Sequence, residues 1–187
     1  MSELLVQFAL ILIILVFVAG ASVLVMSLAS LFIGGAPYGA TPLHVLQRML
    51  EAAAIRPGEK VYDLGSGDGR LLIDAHKEHG AVAVGIEISP FFCWISRIKA
   101  RVAQAEVTIL RGSFFRTDFS DADVVFCYLL PAQMKRLAPR FARLGPGTRI
   151  VSLRFEIPGW RPVQRICRDG HRPIPTIWVY RVGEPPS

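Results

Sequence analysis

The sequence predicts an α/β protein: a mostly parallel sheet with helices on both faces, closed by an antiparallel hairpin and preceded by one apolar helix. Three observations predict it. Between residue 59 and about residue 155, short apolar runs alternate with helical segments, the pattern of repeated β-α-β units. The last two strand-like runs have no helix between them, which marks a hairpin. Residues 4–33 carry no charge at all.

That uncharged run is LLVQFALILIILVFVAGASVLVMSLASLFI. At about 1.5 Å per residue, a helix of this length exceeds a hydrocarbon core of about 30 Å. It reads as a transmembrane anchor over residues 1–33. A cleaved signal peptide fits badly, because Met1-Ser2-Glu3 has no base and the run is too long. A core helix would not be apolar on every side. A Gly/Pro-rich hinge, GGAPYGATP, follows, and then the helix TPLHVLQRMLEAAA, with Thr41 as N-cap and Pro42 at the first helical position. Leu43, Leu46, Leu50 and Ala53 recur at helical spacing, and Arg56-Pro57-Gly58 stops the helix. Hinge and amphipathic helix make a segment 34–58, and the sheet domain occupies 59–187.

Within that domain VYDL (61–64) is the first strand and RLLIDAHKEHG a helix ended by Gly80. AVAVGIE is the second strand, and Ser89-Pro90 opens the helix PFFCWISRIKARVAQA. EVTIL and DVVFCYLL are the third and fourth strands. PAQMKRLAPRFARL is helical with a break at Pro139, and TRIVSLRF is the fifth strand. RPVQRIC and TIWVYRV form the hairpin, joined by RDGHRPIP.

The anchor holds one acid and no base, so the remainder carries 21 basic against 14 acidic side chains. This bias places the folded domain on the cytoplasmic side of a single-pass membrane protein, where anionic headgroups attract it. Lys135, Arg136, Arg140 and Arg143 give one helix a basic side, read as a solvated face or a headgroup contact. There is no nucleic-acid motif and no basic–aromatic stripe, so no nucleic-acid partner is expected. His76 and His79 read as a solvated helix end, so no metal is expected. Cys93, Cys127 and Cys167 are widely spaced and read as reduced structural thiols.

The chemistry sits in VYDLGSGDGR, residues 61–70. In an open α/β sheet, ligands bind outside the carboxyl ends of the strands where the strand order reverses. Gly65 and Gly67 let the chain turn and a ligand approach. A dinucleotide would want G-x-G-x-x-G, but the spacing here is G-x-G-x-G. Asp63 and Asp68 flank the place where a pyrophosphate would sit. Acidic flanks suit a ligand bearing positive charge, and S-adenosylmethionine, with an ammonium and a sulfonium, fits better. Glu87, closing the next strand, can accept hydrogen bonds from ribose hydroxyls, or can merely cap a helix.

The chain resembles the seven-strand, class I methyltransferases, with a Rossmann-like sheet. It is similar in particular to the membrane-anchored group containing the mitochondrial lysine methyltransferases of the adenine nucleotide translocase and the ATP synthase c-subunit. The residues that carry the resemblance are PYGATP (37–42), VYDLGSGDGR (61–70), VGIEISP (84–90), SR (96–97), ADVVFCYLLP (122–131), LGPGTRIVS (144–152), Trp160 and Trp178. The resemblance implies S-adenosylmethionine as cofactor and a lysine ε-amine of a membrane protein as acceptor. It implies Asp63, Gly65, Gly67 and Glu87 as cofactor contacts, with Tyr38 and Thr41 closing over the methionine end. After the third strand, where the family often has an acid or Asn, this chain has Arg111-Gly112-Ser113-Phe114. Ser113 and Phe114 are the candidate contacts there. Tyr128, at the end of the fourth strand, and Glu156, after the fifth, are the candidate catalytic residues that orient the amine. A lipid or small membrane-soluble acceptor, or a non-enzymatic scaffold, is the alternative.

Overall fold

The computed structural model describes residues 2–33 and 41–183, and in the first helix the side chains at 3, 5–18, 20 and 21. The chain divides into two compact units, Met1–Tyr38 and Gly39–Ser187.

The first unit contains one helix, α1 (Ser2–Ile33). Its described side chains from Leu5 to Val18 are apolar except Gln7, and all are exposed. Among the described residues, no helix is long and apolar enough to cross a membrane. The segment expected as an anchor is therefore helical. The hinge residues 34–40, Tyr38 included, lie outside the described residues.

The second unit is a seven-stranded sheet in the order β3-β2-β1-β4-β5-β7-β6. Its strands are β1 (Lys60–Leu64), β2 (Val82–Glu87), β3 (Val107–Arg111), β4 (Val124–Cys127), β5 (Arg149–Leu153), β6 (Gln164–Asp169) and β7 (Arg172–Arg181). Its helices are α2 (Leu43–Ala53), α3 (Arg70–His79), α4 (Pro90–Val102) and α5 (Pro131–Phe141). β1 to β5 pair in parallel; β7 is antiparallel to β5 and to β6. β1 is flanked by β2 and β4, so the strand order reverses at the turn that leaves β1.

β4 is buried along its whole length, as expected for a strand covered on both faces. α2 lays Val45, Leu46, Met49, Leu50 and Ala53 into the same apolar cluster as Val151, Ile177 and Val179 of the sheet. Truncating one such leucine costs about 2–5 kcal/mol.

Four sequence expectations are corrected. Thr41 does not cap α2: Pro42 occupies the cap position, with no side-chain cap, and Val45 and Leu46 donate to its carbonyl at 3.0 Å. Pro139 does not break α5, because it falls in the last turn, where buried Leu137 and Phe141 hold the helix on. The fourth and fifth strands end earlier than their apolar runs, at Cys127 and Leu153. The hairpin connection shrinks to Gly170-His171, because pairing extends through Arg168↔Pro173 and Asp169↔Arg172.

Candidate functional site

The turn leaving β1 is tied to the end of β2. The N–H groups of Gly65 and Ser66 donate to the Ile86 carbonyl at 2.8 and 3.2 Å. Gly67 N–H donates to Glu87 Oε2 at 2.9 Å, and Ser89 N–H donates to Glu87 Oε1 at 2.8 Å. One buried carboxylate thus joins the glycine turn to the start of α4. Each oxygen keeps a lone pair, so both roles read from the sequence are compatible. Gly65, Gly67 and Gly69 all have positive φ, at 90°, 53° and 76°. Gly69 is also fixed by space: a Cβ there would lie 2.2 Å from Ser96 Oγ of α4. Only glycine lets α4 pack this closely on the turn.

The acids of the turn have different fates. Asp68 accepts from Arg70 Nε at 2.9 Å and Nη2 at 2.6 Å, and from Lys99 Nζ at 2.6 Å. Burial alone would raise its pKa, but these two cations win and hold it at about 2. The expectation that Asp68 lends negative charge to the ligand position is corrected: two cations already neutralise it. Arg70 also reaches the Thr41 carbonyl at 3.5 Å, which is where the structure brings Thr41 toward the turn. Asp63 is the opposite case. It sits near the end of β1, partly buried, with no hydrogen bond or ion pair among the described residues. Burial first, and then the charges of Glu87 and Asp68, push its carboxyl up to about 7. A carboxylate beside other acids and without a cation is one that a cationic ligand stabilises.

Beyond β3, Gly112 N–H donates to the Glu87 carbonyl at 2.9 Å, which brings the next turn to the same edge of the sheet. Ser113 Oγ accepts from Phe115 N–H at 3.4 Å. Phe114 is buried against Phe115, and its carbonyl accepts from Arg140 at 2.6 Å.

Leu64 is paired with Cys127 and Cys127 with Ser152, so Gly65, Tyr128 and Leu153 leave three neighbouring strands side by side. Tyr128 is partly buried, and its hydroxyl accepts from Arg154 Nη1 at 3.4 Å. Glu156 is exposed, and among the described residues no hydrogen bond or ion pair joins it to Tyr128, whose hydroxyl meets Arg154 instead. Arg154 is the residue that sequence reasoning missed. It has φ 72°, a left-handed conformation that costs a non-glycine residue about 1–3 kcal/mol. Its N–H donates to Thr176 at 2.7 Å, and its carbonyl accepts from Trp178 Nε1 at 3.4 Å. No signal in SLRFE could have found it, since the run reads as unbroken strand.

Comparison with known proteins agrees with this geometry. Residues 63–164 match the ANTKMT methyltransferase domain. A Saccharolobus islandicus relative, protein-lysine N-methyltransferase, is 40% identical over 79% of this chain and 94% of its own. The mouse adenine nucleotide translocase lysine N-methyltransferase is 32% identical over 78% of this chain and 63% of its own length. Among solved structures, an RNA methyltransferase from Salinibacter ruber in complex with S-adenosyl-L-homocysteine is 38% identical, with TM-score 0.73, covering 79% of this chain and 97% of that one. The chain belongs to the ANTKMT methyltransferase domain family, and it is an S-adenosylmethionine-dependent methyltransferase. The residues present fit that cofactor: unpaired Asp63 for a cationic end, Glu87 with lone pairs for a diol, and a glycine turn between them.

Proposed function

We propose that this methyltransferase acts on the ε-amine of a lysine in a membrane protein, with its own N-terminal helix anchoring it in the bilayer and the folded domain on the cytoplasmic side. The observation that carries the lysine is the 40% identity to a protein-lysine N-methyltransferase across nearly all of that protein. The name of the mouse relative, with a translocase as its substrate, supports a membrane acceptor. The thirty uncharged residues 4–33, helical to Ile33, support the anchor.

The cofactor supplies a methyl group on a sulfonium. Bound at this edge, it would pass that methyl to an amine nitrogen, the new nitrogen–carbon bond replacing the carbon–sulfur bond, with S-adenosylhomocysteine as leaving group and the amine's proton released to solvent. The chain's part is alignment and protonation control. Tyr128 leaves β4 next to the glycine turn and offers a hydroxyl and a ring face to the amine. The Arg154 guanidinium on that hydroxyl adds positive charge, which favours the neutral, nucleophilic form of an incoming lysine.

One observation favours a second reading. The Salinibacter ruber structure, 38% identical, is named an RNA methyltransferase. The excess of basic side chains is compatible with RNA.

Methyl-labelled S-adenosylmethionine separates these readings. The purified enzyme, or its Asp63→Ala variant, is added to membranes and RNA from its own source, and protein, RNA and lipid are separated. Label in protein that requires Asp63, located on lysine by mass spectrometry, is expected. Label confined to RNA selects the second reading, and label confined to lipid removes both.

A further inference from the structure

α4 carries an apolar stripe on its outer face. The side chains it buries fully are small: Cys93, Ser96 and Ala100. Phe92 and Ile95 are partly buried, and four further large apolar residues are exposed: Phe91 is 44% exposed, Trp94 58%, Ile98 41% and Val102 80%. Spacings of three, four and four residues put these on one face. The stripe is about 16 Å long. The cause of the small inner face is the approach of Ser96 to Gly69, which leaves no room for a large side chain. The fold explains the inner face and gives no reason for the outer one, and a contiguous apolar stripe marks a contact surface.

Charge selects the occupant. α4 carries Arg97, Lys99 and Arg101 and no acid. Lys99 is held by Asp68, and Arg97 donates to the Ile109 carbonyl at 2.9 Å while keeping its charge. Arg101 is exposed and has no partner among the described residues. Of the acids flanking the helix in the chain, Glu87 is buried on the glycine turn and Glu106 lies four residues past its end. A second copy docked face to face would set these bases against their own kind. An anionic lipid surface takes both features at once, with tryptophan and phenylalanine at the headgroup–acyl boundary and arginines on phosphates.

We propose that the outer face of α4, Phe91-Trp94-Ile98-Val102 with Arg97 and Arg101, is a docking surface for an anionic lipid bilayer. The helix begins at the end that carries Glu87 and Ser89, so docking sets the cofactor edge of the sheet close to the lipid surface. This contact is separate from the N-terminal helix and from the identity of the methyl acceptor.

The test reads Trp94 itself. The full chain is reconstituted into vesicles of phosphatidylcholine alone or with about a third phosphatidylglycerol, each with and without brominated acyl chains. The fluorescence that Trp94→Phe removes is the signal. Quenching of that signal by about half in brominated anionic vesicles is expected, with little in neutral ones, and Arg97→Gln/Arg101→Gln should return it to the neutral level. Trp94→Phe should keep wild-type cofactor affinity, which shows the fold intact. Two results overturn the proposal. One is a Trp94 signal open to aqueous iodide and untouched by brominated lipid in anionic vesicles. The other is a dimer in sedimentation that Trp94→Glu abolishes, again without lipid quenching, which makes a second copy the occupant.

Discussion

At the amino edge of the sheet, where β1, β4 and β5 begin, acids have partners. Lys60 pairs with Asp121, Arg149 with Glu59, and Asp123 accepts from Lys60 N–H at 2.7 Å. Glu59, Asp121, Asp123 and Arg149 line a cleft of about 510 Å³. The Asp121 carboxyl is held low chiefly by the Lys60 hydrogen bond. For Glu59, burial pulls upward, and the Arg56 N–H together with Arg149 overcomes it. At the carboxyl edge, Asp63 is unpaired and is pushed up to about 7. A cleft therefore lies at the end whose acids are paired, and the candidate cofactor site lies at the end where Asp63 has no partner among the described residues. Unsatisfied charge points to the candidate site.

The largest expected effect tests that contrast directly. Asp63→Ala should weaken S-adenosylmethionine binding by a factor of about 100 or more in calorimetry, with an unchanged circular dichroism spectrum. Unchanged affinity would move the site elsewhere. The contrast also has a pH form. The folded pKa of Asp63, about 7, stands above its ordinary 3.8, so its contribution to stability is fully present below 3.8 and is lost as pH rises through about 7. Asp63→Asn should therefore raise the Tm of the cofactor-free protein at about pH 8 and leave it unchanged near pH 4. Cofactor affinity should do the reverse, weakening by up to about tenfold per pH unit below 7 as the carboxylate is lost.

The opposite edge should respond in stability alone. Arg149 is buried and also donates to the Ala54 carbonyl at 2.8 Å. Arg149→Leu strands Glu59 and should cost about 3 kcal/mol in chemical denaturation, with cofactor Kd unchanged. A large loss of cofactor affinity there would collapse the distinction between the two edges. Smaller effects sharpen the carboxyl edge. Tyr128→Phe should lower turnover about tenfold while cofactor Kd moves less than about twofold. Equal turnover would take the hydroxyl out of the reaction. Smallest is Arg154→Gly, which relieves a left-handed residue and should gain about 1 kcal/mol of stability while lowering turnover. A stability loss there would mean that the guanidinium holds the fold.

The order of elements was legible in the sequence because it is local information. Alternating apolar runs, Ser89-Pro90 before α4 and the glycines after β1 each act within a few residues of themselves. So were the turn and Glu87, since strand ends and positive φ follow from residue type. Element ends were less legible: the YLL and RF of the apolar runs look like strand, and only the lack of pairing partners takes them out of the sheet.

Tertiary structure decided which charges matter. Asp63 and Asp68 look alike in VYDLGSGDGR, and the difference between them is the ion pairing of Asp68 with Arg70, within the motif, and with Lys99, distant in sequence but 2.6 Å away in space. Nothing local brings Arg154 onto Tyr128, or turns Trp94 outward because Ser96 must fit against Gly69. Periodicity and turn chemistry are written residue by residue. Charge pairing, pKa and exposure depend on segments that meet only after folding, and these choose the working acid among several that look equivalent in the chain.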